Sequence, residues 1–234
     1  MRFESARADR QSIASDTTLV RAGLVEGTVR RAILPAGRQQ ATAPGELRRR
    51  VDNLKSGTYI DEIIAAQDSA LYRWHDDGTS RVRVFVEPTA AAAGWDAAYP
   101  DIARNAFGEW SEAGFPLRFT FIYDSVGADI RIRWKERFSP EEGQRIGVTE
   151  RIHTSQFWIA SARIDIANHD SAGRLLSARM VAGILRHEIG HALGLNHSTD
   201  IASVMYRESA STTISPSDRA TLRLLYLVPP GSLR

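Results

Sequence analysis

The segment 187–197 constrains the fold of this chain more than any other part of its sequence. His187 and His191 are four residues apart in a long stretch that has helical apolar spacing and no proline. Four residues advance an α-helix by about 400°, so both imidazoles project from one helical face, one turn apart. Gly194 can adopt a left-handed conformation that ends the helix and turns the chain, which lets His197 approach the same point. The sequence therefore predicts three histidines that converge beside the end of a helix.

The chemistry of these residues favours a zinc site. Three neutral imidazoles and no thiolate suit zinc and leave a fourth coordination position open to water. Zinc lowers the pKa of that water to about 7, and Glu188 can accept the proton as the water attacks a peptide carbonyl. We therefore expect one catalytic zinc ion bound by His187, His191 and His197, with Glu188 as general base and then acid.

The expected function is a zinc endopeptidase that acts on a protein or peptide substrate. The alternative is a catalytically inactive, zinc-stabilised binding module. Glu188 favours the enzyme, because this residue binds no metal in such a site and a purely structural zinc centre would not need it.

The composition excludes several other classes of function. The 234 residues include no cysteine, which excludes disulfides, thiol catalysis and cysteine-ligated zinc. The 30 basic residues are balanced by 28 acidic ones, and the basic run 48–50 has no interleaved aromatic residue, so we expect no nucleic-acid partner. An arginine-rich nucleic-acid binder is the third possible class of function, after the endopeptidase and the binding module. No apolar run approaches the ~20 residues that cross a bilayer, so we expect no transmembrane segment, and residues 1–30 show no signal peptide. We also expect a monomer.

Composition and periodicity divide the chain into three parts. Residues 1–56 are arginine-rich and contain proline and glycine breakers, which predicts a weakly structured N-terminal extension. Residues 57–80 regain apolar spacing of three and four and are expected to form a helical lead-in. Residues 81–230 form the main predicted domain, with about five strands, the histidine-bearing helix and a last helix capped by Ser215 and Asp218. This order of elements predicts an α+β or α/β fold.

Further residues connect the sequence to a known group. Ser198 directly follows the third histidine, and Met205 precedes Tyr206. Together with segment 187–197 these residues resemble the signature of the metzincin metallopeptidases and, within them, the matrixins, and similar landmarks extend over most of residues 80–228. The resemblance implies a twisted, mixed five-stranded sheet, mostly parallel with one antiparallel edge strand, an active-site helix and a small C-terminal subdomain ending in a helix.

The resemblance also assigns supporting roles. Met205 would lie beneath the metal as the Met-turn residue, Gly194 would shape the turn between the ligands, and Asp218 would anchor the last helix to the Met-turn. Members of this group mostly act outside the cytoplasm, and we expect a bacterial source.

The sequence departs from the matrixin pattern in three places. Segment 135–144 contains no histidine, so a structural zinc site is not expected. Calcium is unsupported, because Asp165 and Asp170 do not form a recognisable calcium loop. Segment 207–209 replaces the residues that shape the family's specificity pocket, so substrate preference does not carry over.

Two local hypotheses concern substrate binding. Gly183 lies one turn before His187, and its missing side chain is expected to deepen the pocket beside the metal toward large apolar P1′ residues. An extended substrate is expected to add by backbone hydrogen bonds to an antiparallel edge strand above the metal. The residues of that strand are Gly147, Val148, Thr149 and Glu150.

Overall fold

The structure, a computed structural model of the chain, describes residues 33–34, 42–78, 81–208 and 211–234. Within these residues the helices are α1 (Pro44–Leu54), α2 (Ile60–Ala66), α3 (Tyr99–Ser111), α4 (Ala178–Ala192) and α5 (Pro216–Leu227). The strands are β1 (Ile33–Leu34), β2 (Ala70–Leu71), β3 (Arg73–Trp74), β4 (Arg81–Val86), β5 (Arg118–Ile122), β6 (Ile130–Lys135), β7 (Gly147–Thr154), β8 (Trp158–Ala167) and β9 (Gly231–Ser232).

One mixed sheet has the strand order β1-β7-β8-β6-β4-β5, with β3 paired to β8. Its five long strands confirm the predicted five-stranded sheet, because β5, β4, β6 and β8 are parallel and β7 is antiparallel to β8. The two-residue strands β1 and β3 were not predicted, since two residues carry no alternation. Strand β1 pairs only with His153 and Thr154 of β7. Within the described residues, the outer edge of β7 before that point has no paired strand.

Buried and more exposed residues alternate along the strands, so the sheet has one buried face and one face with charged residues. In β6, Ile130, Ile132 and Trp134 are buried, and the residues between them are not. Helices α3 and α4 pack on the buried face and on each other: Phe107 of α3 contacts Phe119 and Phe121 of β5. Helix α4 contacts β7 and β8, which places the histidine-bearing helix beneath the antiparallel strand.

The structure corrects two expectations about the N-terminal third of the chain. Helix α1 lies inside the segment expected to be weakly structured, and its residues Leu47 and Val51 are fully buried. Pro44 stands in the first turn, where a missing N–H is tolerated, so this proline starts a helix instead of breaking one. The rest of residues 1–41, apart from β1, lies outside the described residues. The lead-in 57–80 is helical only over α2, because the chain turns at Asp68 and Ser69, which both have positive φ.

Three side chains from distant parts of the sequence cap the C-terminal end of α4. The Trp74 Nε1–H donates to the Ala192 carbonyl at 2.8 Å, and the Tyr226 hydroxyl donates to the Leu193 carbonyl at 3.0 Å. The Gln67 amide donates to the Gly194 carbonyl at 3.5 Å. A helix leaves its last carbonyls without internal partners, so these donors stabilise the point at which α4 must end.

The sequence contains no apolar run long enough to predict a transmembrane segment. Among the described residues, no helix is both long and apolar enough to span a bilayer.

Tyr226→Phe is expected to lower the free energy of unfolding by about 1–2 kcal/mol, because it removes the donor to a buried carbonyl. Urea unfolding of the protein measures this change. Tyr123→Phe is the matched control, since Tyr123 is 97% exposed and its replacement should change stability by less than about 0.5 kcal/mol. Equal effects of the two substitutions would show that the Tyr226 hydrogen bond does not stabilise the helix end.

Candidate metal centre

The three predicted ligand histidines come together in the structure. His187 and His191 are buried on α4, and His197 follows the turn after that helix. Their ring centroids are 4.7 Å (His187–His191), 4.8 Å (His191–His197) and 5.3 Å (His187–His197) apart. One ligand nitrogen of each ring lies within 4.8 Å of the other two, so the group can hold one ion. Gly194 has φ of 113°, and a side chain there would collide with the Tyr72 carbonyl, as expected for the residue that turns the chain.

Backbone carbonyls orient the two buried rings. His187 Nδ1 lies 2.7 Å from the Val204 carbonyl, and His191 Nδ1 lies 3.1 Å from the Leu195 carbonyl. Because a carbonyl only accepts, each Nδ1 carries the proton and each Nε2 presents a lone pair. The two Nε2 atoms face each other at 3.0 Å. Two lone pairs at this distance repel unless a cation lies between them, so the donor set fits a zinc ion.

Burial keeps both rings in the form that binds metal. Burial and then the neighbouring His197 lower the pKa of His187 to about 3. Burial, His187 and His197 also hold the pKa of His191 well below its usual value. Both imidazoles are therefore neutral at physiological pH, as metal binding requires.

Glu188 is fully buried beside the histidines, between α4 and β7. Burial raises the pKa of its carboxyl to about 8. Its Oε2 lies 2.6 Å from the Thr149 hydroxyl, whereas its Oε1 is buried and has no hydrogen-bond partner in the described part of the chain. This carboxyl can thus accept a proton from a small molecule that reaches Oε1.

Met205 packs against a glycine of the histidine motif, Gly190. Met205 is fully buried, and a Cβ at Gly190 would lie 3.2 Å from its Cε and 3.1 Å from Trp110 Cζ2. Sequence reasoning did not single out Gly190. The available signal was a glycine inside a helix, where alanine would be about 1 kcal/mol more favourable and close packing is the usual reason for glycine.

A buried carboxylate ties the Met205 segment to α5. Asp218 accepts hydrogen bonds from the Ser203 hydroxyl, from Val204 N at 3.0 Å and from Ser215 N at 2.8 Å. The side chain therefore caps α5 and also fixes Val204, whose carbonyl orients His187. Asp218 thus links the last helix to the Met205 segment, the contact that the resemblance implied.

The family model for Matrixin, peptidase M10, matches residues 73–227, which is more than half of the chain. The chain belongs to the matrixin family.

Three curated relatives are similar to parts of this matrixin. A "Putative matrix metalloproteinase" of Heliothis virescens ascovirus 3e is 31% identical over 122 residues, covering 45% of this chain and 25% of that protein. "Stromelysin-1" of Equus caballus is 31% identical over 150 residues (58% and 30%), and "Metalloendoproteinase 1-MMP" of Arabidopsis thaliana is 28% identical over 123 residues (45% and 30%). The matched part of the chain thus spans less than a third of the length of each relative. None of these sources is bacterial, so a bacterial source stays a prediction.

One chain of a solved structure, "GM1 bound form of the ECX AB5 holotoxin", matches 71% of this chain and 87% of its own length. Its TM-score is 0.47 at 16% identity, a likeness too distant to bear on the fold or the site.

Strand β7 divides the four residues expected to bind substrate between its two faces. Gly147 and Thr149 face α4: the Thr149 hydroxyl contacts Glu188, and a Cβ at Gly147 would collide with the same carboxylate. Val148 packs with Phe138 on the other face, where Glu150 forms an ion pair with an arginine of β8 at 2.7 Å. Their backbones lie on the edge strand as expected, but the Thr149 side chain points into the site.

Gly183 packs closely against Thr212. A Cβ on Gly183 would lie 3.0 Å from Thr212 Cγ2. Thr212 therefore borders the space left by the missing side chain, and the deepening of a P1′ pocket by Gly183 stays a prediction. The sequence could not predict this contact, because Thr212 and Gly183 are distant in sequence and only the fold brings them together.

Arginine side chains pair with Asp165 and Asp170, the two carboxylates that could have been calcium ligands. Asp165 accepts two hydrogen bonds of 2.9 Å from the Arg133 guanidinium. Asp170 accepts from Arg174 Nε at 2.8 Å and from two backbone N–H groups. These pairs neutralise the charges that a calcium ion would need.

Gly190→Ala is expected to destabilise this matrixin by about 1–3 kcal/mol, because the new methyl group must displace Met205 and Trp110. Gly108→Ala in α3 is the control: nothing lies within 4 Å of its Cβ position, and alanine should raise the free energy of unfolding by about 0.5–1 kcal/mol. Urea unfolding of both variants measures the difference. If Gly190→Ala stabilises the protein as Gly108→Ala does, the close packing of Met205 on α4 is wrong.

Proposed function

We propose that this matrixin is a zinc-dependent endopeptidase that hydrolyses peptide bonds. The observation that carries the proposal is that His187 Nε2 and His191 Nε2 face each other at 3.0 Å, with the buried Glu188 next to His187 in the sequence. Family membership supports the same conclusion.

Three side chains would hold the ion: His187, His191 and His197. A zinc ion bound there would polarise the peptide carbonyl and lower the pKa of a water molecule. Met205 and the Val204 carbonyl would keep the ligand rings in place.

Glu188 would transfer the protons of the reaction. It accepts a proton from the attacking water as the water oxygen bonds to the carbonyl carbon. It then returns the proton to the amide nitrogen as the C–N bond breaks, which releases a carboxylic acid and an amine as products. Burial raises the pKa of this carboxyl, which makes its ionised form a stronger base than an exposed glutamate, and the protonated form can serve as the acid of the second step.

The outer edge of β7 would position the substrate. Within the described residues, Gly147, Val148, Thr149 and Glu150 have no strand paired on that side, whereas β1 pairs further along at His153. A peptide in extended form can add to this edge by backbone hydrogen bonds, which aligns one peptide bond with the site.

Glu188→Ala separates catalysis from metal binding. We expect wild-type protein to contain one zinc per chain and to cleave casein, and the variant to keep its zinc but lose at least about 10²-fold in activity. Elemental analysis and casein cleavage measure these two properties.

His191→Ala is the companion variant and should lose both zinc and activity. A wild-type protein that binds zinc and cleaves neither casein nor a peptide library would instead support the zinc-stabilised binding module.

A further inference from the structure

Thr149 makes a side-chain contact that its expected role as a substrate-binding strand residue does not explain. Its side chain is 1% exposed and lies between β7 and α4. The hydroxyl oxygen is 2.6 Å from Glu188 Oε2 and 2.9 Å from the Glu188 backbone carbonyl. The residue therefore contacts the proposed general base directly.

A hydroxyl group has one proton, so Thr149 can donate to only one of these two acceptors at a time. A distance of 2.6 Å is typical of an O–H donor to a charged oxygen, and 2.9 Å is long for an O–H donor to a neutral one. When Glu188 is ionised, the hydroxyl therefore donates to Oε2. That oxygen is then engaged by the protein, whereas Oε1 keeps its hydrogen-bonding capacity.

Gly147 defines the space around the other oxygen. A Cβ at Gly147 would lie 2.6 Å from Glu188 Oε1 and 2.7 Å from Ile184 Cγ2, so any side chain there would displace the carboxylate. Gly147 and Thr149 are two residues apart and thus share one face of β7. One strand therefore binds Oε2 and leaves room for Oε1.

We propose that Thr149 is a positioning residue that holds Glu188 so that Oε1 is the oxygen that exchanges protons with the substrate. The inference rests on the proposed peptidase function. The O–H bond of the attacking water breaks as its oxygen bonds to the carbonyl carbon, and the proton is placed on Oε1. The same proton passes to the amide nitrogen as the C–N bond breaks, and Glu188 is again a carboxylate.

The torsion about the last bond of a glutamate is broad, so the carboxylate needs an external partner to fix its plane. Within the described residues, Thr149 is the side chain that hydrogen-bonds to the Glu188 carboxylate. Loss of the hydroxyl would leave both carboxylate oxygens buried without a donor, and the group would turn away from its working orientation.

The test compares Thr149→Val, which keeps the shape and removes the hydroxyl, with Thr149→Ser, which keeps the hydroxyl. We expect Thr149→Val to lower kcat by about 10–100-fold, the effect of a displaced catalytic group, with KM within about two-fold and one zinc per chain. Thr149→Ser should restore kcat to within about five-fold of wild type. Added to Glu188→Ala, Thr149→Val should cause no further loss, because the hydroxyl acts through the carboxylate.

Thr154→Val is the control on the same strand. The Thr154 hydroxyl accepts from the backbone N–H groups of Gln156 and Trp158 at 3.3 and 3.2 Å, far along β7 from Glu188. The Thr154→Val variant should therefore have a kcat within about two-fold of wild type, whatever the effect of the substitution on stability.

Three results would overturn the inference. These are an unchanged kcat in Thr149→Val, a loss of kcat in Thr149→Ser as large as that in Thr149→Val, or a loss of kcat that is proportional to a loss of bound zinc. Crystal structures of the zinc-loaded proteins supply a readout that does not depend on turnover. The Oε2 contact should persist in wild type and Thr149→Ser, and the carboxylate should rotate in Thr149→Val; an unrotated carboxylate there would refute the positioning role. If the wild type has no peptidase activity but the carboxylate still rotates in Thr149→Val, the proposed function would be refuted and the contact would stay established.

Discussion

The position at which α4 ends determines whether this chain can build its metal centre. His197 can return to the two helical histidines only if the helix stops at Ala192 and the chain turns at Gly194. The carbonyls at that end are buried, and buried carbonyls need donors. Trp74, Tyr226 and Gln67 supply them, so the ligand geometry depends on residues more than a hundred positions upstream and about thirty downstream.

The proposed ligand histidines are held by a series of contacts that starts at the buried Asp218. Asp218 fixes Val204 N, the Val204 carbonyl fixes the tautomer of His187, and Met205 packs on Gly190 of the same helix. Each contact removes one degree of freedom from a ligand before any ion binds. This preorganisation is what a site needs to bind its ion in one geometry, and it explains why α5, which carries no ligand, belongs to the site.

Residue spacing predicted those features that depend on local geometry. The intervals between His187, His191 and Gly194 follow from helix pitch, and the five long strands follow from period-two alternation. The sequence did not predict α1, where only Leu47 and Val51 mark the buried side, or the packing of Thr212 against Gly183. These features depend on which segments meet in the fold. The inward direction of Thr149 likewise depends on the register of β7, which alternation alone leaves open by one residue.

The side-chain donors at the end of α4 also determine the smallest fragment of this chain that can keep its three histidines together. A fragment starting at residue 81, where the period-two pattern begins, would keep the ligands and Glu188. It would delete Gln67, Tyr72 and Trp74, and with them two of the three carbonyl donors and the backbone that packs on Gly194. Any excised fragment must therefore begin upstream of Gln67 if its third histidine is to keep its place.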